Sequence, residues 1–243
     1  MHRLLVEAAE LESDAPVLSD EARNHLRVLR PREGEPIELF DGRGGRRACV
    51  WRGGALVPGG ACVRAPRPVC GLTLFACVTK GSRWDWTIEK ATELGATRIV
   101  PVISDRTIVR IAPPERAAKR ARWLRIAEDA ARQSDAVWVP DVLEPVGFDA
   151  SIPLVRATCG FVGALTTPPP ERFAAALARL EGPFAGRDFS VFVGPEGDFT
   201  PEELAALLAV ATPVSFGDTI LRAETAAIFG LGVLKAFLDV RAR

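Results

Sequence analysis

Two short loops hold the residue types best suited to chemistry. The first, FVGPEGDF at 192–199, leaves an apolar run and turns through Gly194, Pro195, Glu196, Gly197 and Asp198. Glycines let a ligand approach bare backbone. The loop lacks the lysine and hydroxyl residue that hold polyphosphates, and its two carboxylates would repel them. A neutral or cationic ligand fits better. The second loop, VSFGDTILRAETAAIFGLGVL at 214–234, turns at Gly217, carries Ile220 and Leu221, and brings Arg222 and Glu224 to a helix rich in small residues. Apolar side chains in a loop lower solubility unless they cover something, such as a flat ring or a partner subunit. Ala226, Ala227, Gly230 and Gly232 permit close helix packing. His2 and His25 are the only two histidines, and there is no tyrosine. That scarcity argues against a His-rich zinc site or a Ser-His-Asp triad. Acid–base work falls to carboxylates, Lys, Arg or the substrate itself.

The elements around these loops are legible as pattern. FSVFV reads as a buried strand before the glycine turn. TPEE starts a helix after it, with Thr200 as N-cap, Pro201 at the first position and Glu203 closing a capping box. From Gly71 onward, strand runs (LTLFACVTK, RIVPVI, VWVPDVL, ATCGFVGAL) alternate with helices. These are WDWTIEKATELG, PPERAAKRARWLRIAEDAARQS, PPERFAAALARL, TPEELAALLAV and AETAAIFGLGVLKAFLDV. Such alternation predicts an α/β fold, a mainly parallel sheet with helices on both faces, and ligands at the carboxyl ends of its strands. Residues 1–68 differ: HRLLVE, EPIELFD, RRACVWR and ACVRAP are short strand candidates between glycine turns. One helix, LSDEARNHLRVLR, interrupts them with Ser19 as N-cap. The expected organisation is a small β-rich domain at 1–68, a proline-containing junction RAPRPVCG, and a larger α/β domain at 71–243.

A chain of 243 residues with 48% hydrophobic and 26% charged residues has an ordinary globular composition and no apolar run of membrane-spanning length. The opening MHRLLVEAAELESD turns acidic where a secretory leader would stay apolar, so a cytoplasmic location is expected. Five cysteines without a C-x-x-C pair read as reduced thiols, and no metal site is expected. The net charge is zero but uneven. Between Gly42 and Trp84 there is no acid, against Arg43, Arg46, Arg47, Arg52, Arg64, Arg67, Lys80 and Arg83. The stretch RTIVRIAPPERAAKRARWLR adds seven cations against one acid. Arginine binds phosphate bidentately, and both stretches suit either RNA or a solvated basic surface.

GPEGDFTPEE together with FGDTILRAETA resembles the RsmE family of SPOUT methyltransferases. NHLRVLR and IELFDGRG are similar to that family's N-terminal, PUA-like RNA-binding domain. KGSRWDWTIEKATELGATRIVPVISDRT and RWLRIAEDAARQS resemble the first half of its catalytic domain. The resemblance implies methyl transfer from S-adenosylmethionine to uracil N3 of one uridine in 16S ribosomal RNA. It also implies a trefoil knot and a homodimer with the active site at the subunit interface. A sulfonium cation without phosphate is compatible with a glycine loop that carries carboxylates.

By the same resemblance, Gly194, Pro195, Glu196 and Gly197 line the cofactor pocket from one side. Phe216, Gly217, Ile220, Leu221 and Arg222 close it from the other, with Leu165 and Thr166 as a third element. For chemistry, the expectation is that Arg222 stabilises charge developing on uracil or orients the RNA, with Glu224 positioning it; the alternative is a salt bridge between the two that fixes the loop. RNA contacts are expected from Arg23, His25, Arg27 and Arg30 on the first helix, and from Lys80, Arg106 and Arg132 in the catalytic domain. The sequence departs from the family pattern at Asp198, where glycine is usual, at Thr219 and Asp135, where arginine is common, and at Ala223, where threonine is usual. Two other functions fit less of the pattern. One is another SPOUT activity such as ribose 2′-O methylation of transfer RNA; the other is a catalytically silent RNA-binding or ribosome-assembly factor.

Overall fold

A computed structural model describes residues 1–241, which form two compact units. The first comprises Met1–Arg67 with Glu128–Val139, and the second Pro68–Ala127 with Pro140–Arg243.

In the first unit, β1 (His2–Leu5) pairs parallel with β2 (Pro36–Phe40). The sheet continues antiparallel through β3 (Gly45–Arg52) to β4 (Ala55–Pro58), and β5 (Val63–Arg64) also pairs with β3. Helix α1 (Asp20–Leu29) starts where the Ser19 hydroxyl accepts the Ala22 N–H at 3.1 Å. It ends at Arg30, whose φ of 48° is left-handed. Leu4, Leu11, Leu26, Ile37, Leu39 and Leu56 form the core. The buried Arg3 joins the later segment to this sheet. Its Nε donates to Glu38 Oε1 at 2.8 Å, and one terminal nitrogen donates to the carbonyls of Ala131 and Ala136.

The second unit is a seven-stranded sheet in which every pairing is parallel. In chain order its elements begin with β6 (Gly71–Cys77), α2 (Ser82–Glu93), β7 (Arg98–Ile103) and α3 (Arg116–Gln133). The last six residues of α3 belong to the first unit. Then follow β8 (Asp141–Val142), β9 (Val146–Gly147), α4 (Phe148–Arg156), β10 (Cys159–Gly163) and α5 (Phe173–Ala178). The series closes with β11 (Asp188–Val193), α6 (Pro201–Leu208), β12 (Thr212–Val214) and α7 (Ala223–Arg241). Strand order is β12-β10-β11-β6-β7-β8, with β9 also on β7.

Side-chain alternation covers both faces of this sheet. Phe75, Val100, Val162 and Phe192 pack against Phe148 and Val155 of α4 and Leu207 of α6. Val191, one residue out of phase with Phe192, lies against Gly230 of α7, which also packs on β6, α2 and α5. The predicted glycine stop of α2 is a complete Schellman end. Gly95 has φ 80°, and Ala96 N–H donates to Ala91 carbonyl at 3.0 Å while Gly95 N–H donates to Thr92 carbonyl at 2.9 Å.

The run VWVPDVL does not form one strand. Trp138 and Val139 belong to the first unit, where Trp138 Nε1 donates to Pro66 carbonyl at 3.1 Å, and only Asp141–Val142 join the parallel sheet. Pro140 between them has no N–H to continue a ladder.

Candidate functional site

Because β12, β10 and β11 are adjacent and parallel, the segments that follow them emerge at one edge of the sheet. Those segments hold Leu165 and Thr166 after β10, Gly194 to Gly197 after β11, and Phe216 to Arg222 after β12. All three predicted loops therefore share the carboxyl edge, where α/β proteins bind ligands.

The turn after β11 is held from several directions. Asp198 N–H donates to Pro195 carbonyl at 3.0 Å, closing the turn. Asp198 has φ 59°, a conformation in which glycine is favoured and aspartate tolerated, and its Oδ1 accepts the Phe199 N–H at 2.8 Å. The departure from glycine at this position is thus accommodated by a side chain that bonds its own turn. Arg106 donates to the carbonyls of Gly197 (3.0 Å) and Phe199 (3.2 Å). The capping box forms as read from the sequence. Thr200 Oγ1 accepts from Glu203 N–H at 3.2 Å, and Glu203 Oε2 accepts from Thr200 N–H at 3.0 Å. Glu203 Oε1 also accepts the Asp105 N–H at 2.8 Å, which fastens α6 to the end of β7.

The segment after β12 is anchored at its start and open beyond. The Phe216 ring packs so closely that a Cβ on Gly163 would lie 2.5 Å from it, and one on Gly230 would lie 3.0 Å away. It also meets the rings of Phe173 and Phe229. Phe216 therefore offers the site backbone and a fixed platform rather than a mobile ring. Asp218 pairs with Arg172. Past that pair, Ile220 is 81% exposed, and Leu165 in the facing loop is 61% exposed. Among the described residues, the exposed Arg222 side chain makes no hydrogen bond or ion pair.

Glu224 was expected to position Arg222, but the structure turns it to a different cation. Its Oε1 lies 3.8 Å from Arg83 Nε, while another nitrogen of the same guanidinium lies 3.6 Å from Glu196 Oε1. Arg83 stands in the first turn of α2. Sequence reasoning counted it only as one of eight clustered cations, and no local spacing links residues 83, 196 and 224. The other Glu224 oxygen, Oε2, is buried without a hydrogen-bond partner, as is Thr79 Oγ1 just past β6.

The residues expected at RNA divide between the units. Arg23, His25, Arg27 and Arg30 lie along α1 and its end. Arg132 lies with them in the first unit rather than in the second, and its charge, after burial, helps push the His25 imidazole below its ordinary value. Arg132 also pairs with Asp129. Arg23 pairs with Asp20 at 2.5 Å, and Arg27 donates to Asn24 Oδ1 at 2.9 Å. Lys80 and Arg106 are exposed in the second unit, although Arg106 is engaged with the turn carbonyls.

A groove of about 850 Å³ lies in the first unit between α1, the preceding loop and β3–β4. Leu26, Trp51 and Val57 contribute apolar surface, and Arg23, Arg27 and Arg30 line it as cations. Arg43, Arg46 and Arg52 make no side-chain hydrogen bond or ion pair among the described residues. Many cations of the second basic stretch are used internally: Arg110 binds two carbonyls, Arg120 binds Val142 carbonyl, and Arg122 binds Asp85 through both oxygens.

All five cysteines are free, and burial pushes the Cys77 thiol up to about 12, so it is inert packing. Among the described residues no cluster of His, Cys, Asp and Glu could hold a metal, and no helix is long and apolar enough to cross a membrane.

The fold and the three-loop edge define an RNA methyltransferase: the family model for the RNA methyltransferase domain matches residues 65–235, and that for the RNA methyltransferase PUA domain matches residues 18–50. The ribosomal RNA small subunit methyltransferase E of Synechocystis sp. is 33% identical, over 97% of this chain and 78% of that protein. The same-named protein of Mycobacterium tuberculosis is 31% identical over 90% of this chain and 85% of its own length. The chain belongs to this ribosomal RNA small subunit methyltransferase E family. Among solved structures, the family member from Neisseria gonorrhoeae, bound to S-adenosyl methionine, is 27% identical with a TM-score of 0.77, covering 99% of this chain and 97% of that one. A Legionella pneumophila protein solved with the cofactor SAM is 26% identical with a TM-score of 0.81, over 97% and 96% of the two chains.

Proposed function

We propose that the chain methylates uracil N3 of one uridine in 16S ribosomal RNA of the small subunit, using S-adenosylmethionine at the three-loop edge. The observation that carries this reading is the meeting of the loops after β10, β11 and β12 at adjacent strand ends, in a member of this family. The donor set suits the cofactor. Gly194 and Gly197 give backbone access, Leu165 and Ile220 offer apolar surface for a flat ring, and carboxylates suit a cation. The buried unpartnered Glu224 Oε2 has capacity for a ligand donor.

S-adenosylmethionine supplies a methyl group carried on a sulfonium. The residues of this chain supply position and charge. Gly194, Pro195, Glu196 and Gly197 form the fixed side of the pocket, and Phe216, Gly217, Ile220, Leu221 and Arg222 form the other, with Leu165 and Thr166 between them. Positioning of the nucleophile accounts for much of the acceleration in a displacement at carbon. Uracil N3 carries a proton at neutral pH and lies on the pairing edge, so the base must be unpaired to reach the site. The unpartnered guanidinium of Arg222 faces the negative charge that develops when that proton leaves.

The domains in this proposal are a PUA-like RNA-binding domain at 1–68 and a SPOUT domain at 71–243, knotted and paired as a homodimer in the cytoplasm. In the first unit, Arg23, Arg27 and Arg30 beside the Trp51 groove suit the phosphates and unpaired bases of RNA. His25 and Arg132 extend this basic surface, and Lys80 and Arg106 are the candidate contacts of the second unit. Purified protein incubated with small subunits from cells lacking the gene should transfer radiolabelled methyl from S-adenosylmethionine into N3-methyluridine, identified by nucleoside mass spectrometry. Label recovered as a ribose 2′-O-methyl nucleoside would favour the other SPOUT chemistry, and no label would favour a silent assembly factor.

A further inference from the structure

Two carboxylates flank the one guanidinium of Arg83, so this corner of the second unit carries an excess of negative charge. The Glu224 side chain is only 12% exposed, and its Oε2 has no donor. A buried carboxylate oxygen left without a donor is costly unless a ligand fills the gap. Thr79 Oγ1, 3% exposed at the residue and likewise unpartnered, lies four residues before Arg83 in the chain, just past β6. Glu224 is also in the first turn of α7.

Position in the sheet separates this corner from the apolar part of the site. Leu165 and Ile220 follow β10 and β12, whereas Glu196 follows β11, and Arg83 and Thr79 follow β6; Glu224, in the first turn of α7 beyond β12, reaches across to Arg83. From β12 to β6 is three strand spacings, roughly 14 Å. A ligand laid along this edge would meet apolar side chains and backbone at one end and the Arg83-bridged carboxylates at the other.

We propose that Arg83 is a positioning residue that holds the Glu196 and Glu224 carboxylates as the acceptor for the α-ammonium group of the cofactor's amino-acid portion. This inference rests on the S-adenosylmethionine reading above. It gives Arg83 a role that its basic neighbours do not share: it orders two acids so that together they retain a net negative charge toward a cation. No bond is made or broken in this step.

Isothermal titration of the full chain tests it with two probes. S-adenosylhomocysteine keeps the ammonium and the α-carboxylate and lacks the sulfonium, and 5′-deoxy-5′-methylthioadenosine lacks all three; removing an acid weakens the hold on an ammonium and not on a carboxylate. Glu224→Gln should weaken S-adenosylhomocysteine on the order of tenfold, the scale of one charge-assisted hydrogen bond, and leave methylthioadenosine within about twofold. Arg83→Gln should act in the same selective direction with a smaller loss, and Arg83→Lys should recover part of it. Glu196→Gln, on an exposed turn, carries the same selective expectation should Glu224→Gln fail to fold. Undiminished S-adenosylhomocysteine binding in these variants, or equal loss of both probes, overturns the ammonium assignment while leaving the cofactor reading in place. A wild-type chain that binds neither probe overturns the cofactor reading and this inference with it.

Discussion

The turn after β11 and the segment after β12 face the same sheet edge but are held very differently. The first is closed by Pro195 and Asp198, clasped by Arg106 and anchored to α6 through Glu203. The second is fixed only as far as Phe216 and the Arg172–Asp218 pair, then presents Ile220 and Arg222 to solvent without partners. Fixed backbone is suited to defining where a ligand lies, because the ordering entropy is already spent in folding. The open arginine is suited to meeting a substrate that arrives later. Damage to the first loop should therefore appear as lost stability together with lost cofactor affinity, and damage to the second as lost cofactor affinity or turnover without lost stability.

The largest expected effect separates the two directly. Arg222→Ala should lower turnover at saturating cofactor by about a hundredfold or more, with the unfolding midpoint unchanged. Near-normal turnover would remove Arg222 from catalysis. Next, Glu203→Ala should cost about 2 kcal/mol in denaturant unfolding, since it removes the capping box and leaves Asp105 N–H unpaired. A cost below about 0.5 kcal/mol would mean that the first loop is not held through α6. Asp198→Ala should cost about 1 kcal/mol, because alanine is unfavourable at φ 59° and cannot accept from Phe199 N–H, whereas Asp198→Gly should be nearly neutral. Equal effects from the two substitutions would contradict the conformational account.

The smallest effect concerns the first unit. Burial first, and then the like charge of Arg132, lower the His25 imidazole from its ordinary value. The unfolded chain then takes up a proton that the folded chain resists. Stability attributable to His25 falls as pH drops from about 6.5 toward the lowered folded value, and is fully present above that window. A phosphate facing Arg132 would offset its charge, so adding ribosomal RNA should raise the His25 titration followed by NMR. An unmoved titration would place His25 and Arg132 outside the RNA interface.

Much of this architecture is legible in the chain itself, because local rules and tertiary structure agree there. Alternating apolar runs and helices predict the parallel sheet, Gly95 ends α2 as expected, and Thr200–Glu203 form the capping box. The missed features depend on contacts distant in sequence. VWVPDVL has the apolar content of one strand, but its first half is held in the first unit by Trp138. The arginine-rich stretch from 106 to 125 reads as either an RNA-binding or a solvated basic surface, yet Arg110, Arg120 and Arg122 are bonded to the protein's own carbonyls and to Asp85. Charge counting cannot distinguish a guanidinium that binds backbone from one that awaits phosphate. The sequence expectation has Glu224 positioning Arg222, whereas the packing of α7 against α2 brings it to Arg83. Asp198 departs from the family pattern, and its left-handed backbone, set by packing and turn geometry, is what accommodates it.

Reverse transcription across 16S ribosomal RNA from cells lacking the gene tests the central claim most directly. A methyl group on uracil N3 blocks the pairing edge and stops the polymerase. The account predicts a single stop in wild-type RNA that vanishes in the deletion strain and returns on complementation with the intact gene, but not with the Arg222→Ala form. A stop that persists in the deletion strain would contradict it.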